Sequence, residues 1–111
     1  MSGKFDFKHP LPNEYEAELL DNLIEEAAEV IQRATKLKRF GRDEVQPGQK
    51  LNNAQRLSME IGNLCEMIDL AMDARLVVEE YVEAGISEKH ANLPKFMRTY
   101  PAGDEKVTLP A

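Results

Sequence analysis

Apolar residues recur every three or four positions along most of the chain, which is the spacing of amphipathic helices. The first such stretch runs from Asn13 to about Phe40, and its apolar side chains fall on one stripe of a helix. They are Leu19, Leu20, Leu23, Ile24, Ala27, Ile31, Ala34 and Leu37. Asn13 with Glu16 forms a capping-box pattern, and Gly41 is a natural stop after a basic last turn. One long helix is predicted here.

A second helix is predicted after a loop at residues 41–51, which holds two glycines and one proline. Either Asn52 or Asn53 could cap this helix, which continues to about Asp73. Its apolar positions are Leu57, Ile61, Leu64, Ile68 and Ala71. A third helical stretch is predicted to start near residues 74–77. Gly85 marks a candidate break in it, and Pro94 is predicted to break or restart it.

The chain as a whole is predicted to be all-α, because no alternating pattern is long enough for a strand. Its 111 residues predict a single all-α domain, 1–111, with an extended arm at residues 1–12 and a loose tail at 101–111. Aromatic residues make up 6% and tryptophan is absent, so the core must be aliphatic and thin. A monomer of this size would be marginally stable, which favours a homo-oligomer.

Composition and charge exclude several classes of protein. The formal net charge of -6 argues against a general DNA- or RNA-coating role. A single cysteine excludes an internal disulfide and a cysteine-rich zinc site. No apolar run approaches the roughly 18 residues of a membrane helix, and no signal-peptide core follows the first residues. A cytoplasmic, soluble protein with no membrane and no nucleic-acid partner is expected.

Acidic residues on the first predicted helix form a candidate metal site. Glu25 and Glu29 are four residues apart and Glu26 and Glu29 three apart, so all three project from one flank. Their repulsion needs compensation, and hard divalent cations such as Mg²⁺ take oxygen ligands. Glu60 and Asn63 add two oxygen-bearing side chains on the second helix. If the apolar stripes of the two helices pack together, Glu60 approaches the same flank.

A purely structural explanation of these charges stays open. Acids fill the first part of the helix and bases the last part, which is the order that a helix macrodipole prefers and that a solvated face also shows. The acids are Glu14, Glu16, Glu18, Asp21, Glu25, Glu26 and Glu29, and the bases are Arg33, Lys36, Lys38, Arg39 and Arg42.

The two acidic segments resemble the EExxE…ExxD signature of the MazG-like all-α nucleoside triphosphate pyrophosphohydrolases. Glu25-Glu26-x-x-Glu29 matches the first part and Glu60-x-x-Asn63 the second. The stretch LIEEAAEVIQRATKLKRFGRDEVQPGQKLNNAQRLSMEIGNL is similar to the small phage-type branch of that superfamily, and the resemblance covers roughly residues 19–73. Asn63 departs from the family, which has Asp there, so the site loses one negative charge.

The resemblance implies a helical bundle that is completed by assembly into a homodimer or homotetramer. It also implies Mg²⁺, with Mn²⁺ as a substitute, and hydrolysis of an NTP or dNTP to the monophosphate and pyrophosphate. By position, Glu26, Glu29 and Glu60 are implied metal ligands, with Asn63 in the place of the family's Asp. Glu25 is implied as a ligand or as the group that orients the attacking water. The catalytic carboxylate is then Glu25, or Glu29 if that residue does not bind metal.

Basic and amide side chains are candidates to bind the substrate. Lys36, near two helical turns beyond Glu29, could hold the departing pyrophosphate or could be a solvated residue at a helix end. The family carries an Asn/Lys/Arg cluster on a late helix, and four residues here are similar in kind. They are Lys89, Asn92, Lys95 and Arg98. Asn22 and Asn92 are candidate amide readers of the base.

Two other functional classes are alternatives. One is a catalytically weak or inactive adaptor that keeps the same fold, because Asn63 replaces the family's Asp. The other is a helix-turn-helix DNA-binding module, because residues 54–64 loosely match the first helix and glycine turn of such motifs. No Arg/Lys-rich recognition helix follows that segment, and the net charge disfavours it.

Overall fold

The computed structural model describes residues 9–101 of the protein, and over this range the chain is all-helical, with three α-helices and no strands. The helices are α1 (Glu14–Phe40), α2 (Asn53–Asp73) and α3 (Glu79–Phe96). The predicted all-α class is confirmed. Residues 1–8 of the predicted arm and residues 102–111 of the predicted tail lie outside the described residues.

Side-chain and glycine caps define α1 at the ends that the sequence predicts. The Glu16 backbone N–H donates to Asn13 Oδ1 at 2.8 Å, and the Asn13 N–H donates to Glu16 Oε1 at 2.8 Å. This capping box satisfies two backbone donors at the helix start. Gly41 follows the last turn with φ of +89°, a backbone conformation that glycine adopts without the steric penalty of a side chain.

Two neighbouring asparagines have different roles at the start of α2. Asn52 is the cap, through a capping box with Gln55. Asn53, 2% exposed, fixes the α1–α2 loop instead. Its side-chain amide donates to Gly41 O at 2.8 Å and to Glu44 Oε1 at 3.0 Å, and its backbone N–H donates to Glu44 O at 3.0 Å. One buried side chain therefore ties the end of α1 to the start of α2, and the two helices pack as a hairpin.

The chain turns sharply after α2, so α3 starts later than predicted. Arg75 has φ of +60°, and the Leu76 N–H donates back to Ala71 O at 2.9 Å, which is the pattern of a Schellman motif. This motif ends α2, and α3 begins at Glu79 rather than at residues 74–77.

Neither predicted breaker interrupts α3. Gly85 lies inside the helix, where its cost of about 1 kcal/mol is tolerated. Pro94 lies in the last turn, where a missing amide hydrogen removes one helical hydrogen bond close to the end at Phe96. Gly62 likewise lies inside α2, which continues to Asp73, so the segment 54–64 contains no turn of the helix-turn-helix kind.

The described part of the chain divides into two compact units: the first contains α1 and α2 and ends at Leu76, and the second begins at Val77 and contains α3. The single-domain interpretation of residues 1–111 stays a prediction. Among the described residues, Leu19 and Ala71 are the buried apolar side chains, whereas Ile24 and Ile31 are 66% and 68% exposed. In the described part of the chain, no helix combines the length and the apolarity that a membrane span requires.

Candidate functional site

Packing of α1 on α2 brings Glu26 of one helix to Glu60 and Asn63 of the other. The Glu26 carboxyl interacts with both side chains, and Asn63 Nδ2 donates a long hydrogen bond of 3.4 Å to Glu60 Oε2. Glu26 Oε2 is buried and has no hydrogen-bond partner among residues 9–101. Two acidic segments that are distant in sequence therefore meet in space.

The contact with Glu60 raises the pKa of Glu26 above its ordinary value of 4.5. The largest cause is a hydrogen bond between the two carboxyls, which requires a proton on one of them. Loss of solvent around Glu26 and the negative charge of Glu60 also raise this pKa, and the charge of Glu25 raises it least. The Asn63 amide acts in the opposite direction, because it hydrogen-bonds to the carboxylate. Either a proton or a cation between the two carboxyls would relieve their repulsion.

An open cleft of about 560 Å³ lies between α1, the α1–α2 loop and α2. Glu29 and Glu60 line it together with three basic residues, Arg33, Lys50 and Arg56. Sites for small molecules commonly have volumes of roughly 300–1,000 Å³. The cleft therefore presents acidic and basic side chains to one space of ligand size, and Glu60 belongs both to this cleft and to the group around Glu26.

A tight turn in the α1–α2 loop forms one side of the cleft. The Gln49 N–H donates to Gln46 O at 2.9 Å, and Gly48 has φ of +82°. Proline at the second position and glycine at the third are typical of a type II turn, which requires a positive φ at the third. The turn brings Gly48, Gln49 and Lys50 to the cleft.

Arg33 and Arg56 are held differently. Arg33 is 8% exposed, and its Nη1 is buried without a hydrogen-bond partner in the described part of the chain. Arg56 is half-buried, and its Nη1 donates to Gln46 Oε1 at 3.1 Å, which links α2 to the turn. The cleft therefore contains one guanidinium that is anchored by the protein and one that is buried with an unpaired donor.

The five predicted metal-site residues are brought together in part. Glu26, Glu60 and Asn63 meet between α1 and α2, and Glu29 shares the cleft with Glu60. Glu25 is exposed, and its charge acts on Glu26. Within residues 9–101, no group of three or more His, Cys, Asp or Glu is arranged to hold a metal ion.

Two carboxyls and one amide nevertheless fit a Mg²⁺ site of the kind that water and substrate complete. Mg²⁺ is usually bound through one or two carboxylates plus substrate phosphates rather than by an all-protein cage. Glu26 and Glu60 supply the carboxylates, and Asn63 supplies an amide oxygen. The buried, unpartnered Glu26 Oε2 is the atom that such an ion would satisfy.

The predicted substrate-binding residues lie at other places in the chain. Lys36 is half-buried, and its Nζ lies 5.8 Å from the centre of the Phe40 ring. Asn22 donates its side-chain amide to Glu18 O at 2.9 Å, within its own helix. The remaining four belong to the second unit: Lys89, Asn92 and Lys95 in α3, and Arg98 just after it. Their substrate-binding role stays a prediction.

The three basic residues of the cleft were missed by reasoning from the sequence. A signal for two of them exists, because Arg33 lies four residues after Glu29 and Arg56 four residues before Glu60. That spacing puts each base on the same helix face as an acid. Lys50 carries no such signal, since its position depends on the turn at residues 46–49.

Comparison with known proteins gives no match: no family model, no curated protein and no solved structure is significantly similar to the chain. Membership of the MazG-like superfamily therefore stays a prediction from the two acidic segments.

Replacing Glu26 with glutamine is expected to alter how stability depends on pH. In metal-free protein, the raised pKa means that the folded state binds the Glu26 proton more tightly than the unfolded chain does. This contribution to stability is therefore present below about pH 4.5 and lost as the pH rises through the folded-state pKa. Glutamine stays neutral throughout. The urea midpoint of Glu26→Gln should exceed that of the wild type at pH 7, and the difference should shrink on acidification.

A double-mutant cycle provides the control for this result. In a Glu60→Gln background the charge that opposes Glu26 is absent, so Glu26→Gln should raise the urea midpoint at pH 7 by less. A gain that is the same with and without Glu60, or one that does not change between pH 7 and pH 4, would mean that the two carboxyls do not interact in solution.

Proposed function

We propose that the protein is a Mg²⁺-dependent nucleoside triphosphate pyrophosphohydrolase, which converts an NTP or dNTP to the monophosphate and pyrophosphate. The observation that carries the proposal is the meeting of Glu26, Glu60 and Asn63 beside a cleft of mixed charge. The resemblance of the acidic segments to the MazG-like enzymes supports the reaction type.

Glu26, Glu60 and Asn63 would hold the ion, and Mn²⁺ would substitute for Mg²⁺. A bound ion would supply charge neutralisation at the phosphates and would lower the pKa of the attacking water. Phosphoryl transfer needs little covalent chemistry from the protein. The role of these side chains would therefore be to position the ion, whose charge neutralises that of the phosphates.

Glu29 is the carboxylate best placed to accept the proton of the attacking water. It lines the cleft, whereas Glu25 is exposed to solvent. A general base must come within about 2.6–3.2 Å of the group that it deprotonates, so it has to face the bound substrate. The water oxygen then bonds to the α-phosphorus, the bond from that phosphorus to the bridging oxygen breaks, and pyrophosphate leaves.

Self-association into a homodimer or homotetramer is part of the same proposal. Ile24 and Ile31, two turns apart on one face of α1, are 66% and 68% exposed, and Met59 on α2 is 61% exposed. Large exposed apolar side chains of this kind mark interfaces when they form a contiguous patch. Light scattering would then give at least twice the mass of one chain.

A panel of the common NTPs and dNTPs, each with Mg²⁺ or Mn²⁺, tests the proposed activity. We expect at least one nucleotide to yield monophosphate and pyrophosphate in equal amounts, and a chelator to abolish the reaction. Release of orthophosphate alone would contradict cleavage at the α-phosphate. Absence of turnover with every nucleotide and both metals would favour the adaptor, whose site is weakened by Asn63 in place of Asp.

A further inference from the structure

We propose that Arg33, together with Arg56 and Lys50, binds the two terminal phosphates of the substrate, which leave as pyrophosphate. The identity of this ligand rests on the proposed function, whereas the existence of an anion site rests on the cleft alone. None of the three residues belongs to the two acidic motifs, although all three lie within residues 19–73, which the resemblance covers.

The burial of Arg33 is the first step of the argument. It is 8% exposed, it lines the cleft, and its Nη1 has no hydrogen-bond partner in the described part of the chain. A guanidinium cannot lose its proton to escape the cost of burial. Buried charges in folded proteins are normally paired, so a buried guanidinium that lines a cleft and has an unpaired Nη1 indicates that an anion binds there.

The chemistry of the cleft indicates what kind of anion this is. Guanidinium groups bind phosphate oxygens with two parallel hydrogen bonds, and a lysine ammonium adds a point charge. Arg56 uses its Nη1 on Gln46 Oε1, which orients the group and leaves its other donors for a ligand. Three cations around about 560 Å³ suit a multiply charged anion of more than one phosphate.

The acidic residues of the cleft give the bound substrate a direction. Glu60 lines the cleft and also contacts Glu26 and Asn63, where the metal ion is proposed. Glu29 and Glu60 repel an anion that binds without a metal ion, so its favourable contacts are with the three basic residues. In the substrate complex, the α-phosphate lies toward the metal ion proposed at Glu26, Glu60 and Asn63. The two phosphates that leave then lie toward Arg33.

Titration of inorganic pyrophosphate into the full-length protein, in the presence of EDTA, tests this site without any metal ion. We expect pyrophosphate to bind to the wild type and to bind about tenfold more weakly to Arg33→Gln. Arg39→Gln is the matched control, because Arg39 is exposed on the same helix, with its guanidinium carbon 5.0 Å from the centre of the Phe40 ring. Arg39→Gln should bind pyrophosphate as the wild type does.

A second variant tests the same cleft in case Arg33→Gln does not fold. Arg56→Gln changes a half-buried residue of the same cleft, and we expect it to weaken pyrophosphate binding while the helix content by circular dichroism stays unchanged. Equal pyrophosphate affinity for the wild type and both cleft variants would overturn the inference, as would no binding to the wild type.

The titration separates this inference from the proposed function. Nucleotide hydrolysis by a protein that binds no metal-free pyrophosphate would refute the anion site and leave the activity standing. Pyrophosphate binding that is lost in Arg33→Gln, in a protein that hydrolyses no nucleotide, would support the anion site and refute the pyrophosphohydrolase.

Discussion

Replacing Glu60 with alanine is expected to lower the rate of pyrophosphate release from the best nucleotide by about 100-fold or more. Glu60 is shared by both parts of the site, because it contacts Glu26 and Asn63 and also lines the cleft. Its loss leaves one carboxylate where Mg²⁺ needs oxygen ligands. Initial rates at saturating Mg²⁺ measure the effect. The loss should not come from unfolding, because the change removes a charge that repels Glu26.

Two further variants make this test specific. Glu66→Ala removes an exposed carboxylate from the same helix, and we expect its activity to equal that of the wild type. Asn63→Asp restores the residue that the resembled family has, and metal affinity should rise on the order of tenfold if this position binds the ion. A Glu60→Ala protein that kept more than about a tenth of the activity would exclude Glu60 as a ligand.

Replacing Asn53 with alanine is expected to reduce the free energy of unfolding by about 2–3 kcal/mol. The 2% exposed side chain donates to Gly41 O and to Glu44 Oε1, and alanine would leave both acceptors without this donor. Each buried hydrogen bond contributes about 1 kcal/mol, and an acceptor left unpaired adds a desolvation cost. Urea denaturation of the metal-free protein measures the difference.

The neighbouring asparagine is the matched control for that experiment. Asn52→Ala removes the helix cap of α2, which typically costs about 1 kcal/mol. We expect Asn53→Ala to be the more damaging change by roughly a factor of two. Equal losses for the two variants would show that the ties from Asn53 to the loop contribute no more than an ordinary cap.

Local sequence signals predicted the bounds of α1 and α2, because these helices end at features that act over three or four residues. Asn13 and Gly41 are examples. The role of Asn53 was not predictable in this way, since its acceptor at Gly41 is twelve residues away and comes near only when the hairpin forms.

The prediction that Pro94 breaks or restarts α3 was wrong for a different reason. A proline costs a helix much less in its last turn than in its middle, and the sequence did not fix where α3 ends.

The sequence indicated which acidic residues could come together, but not how they are arranged. Spacing puts Glu25, Glu26 and Glu29 on one flank of α1, yet a small rotation of the helix decides which of them meets α2. In the structure Glu26 reaches Glu60, and Glu29 faces the cleft. That rotation depends on side-chain packing between the two helices, which hydrophobic periodicity describes too coarsely.

The α1–α2 loop is closed at its ends by Asn53 and in its middle by the turn at Pro47-Gly48. This segment therefore loses its conformational entropy during folding, before any ligand binds. Under the proposed function, a nucleotide that enters the cleft meets Lys50 on a loop that is already closed, so its capture requires no loop closure. Its association rate should then be governed by diffusion and by ionic strength, and it should be insensitive to the slow motions that limit enzymes with mobile lids.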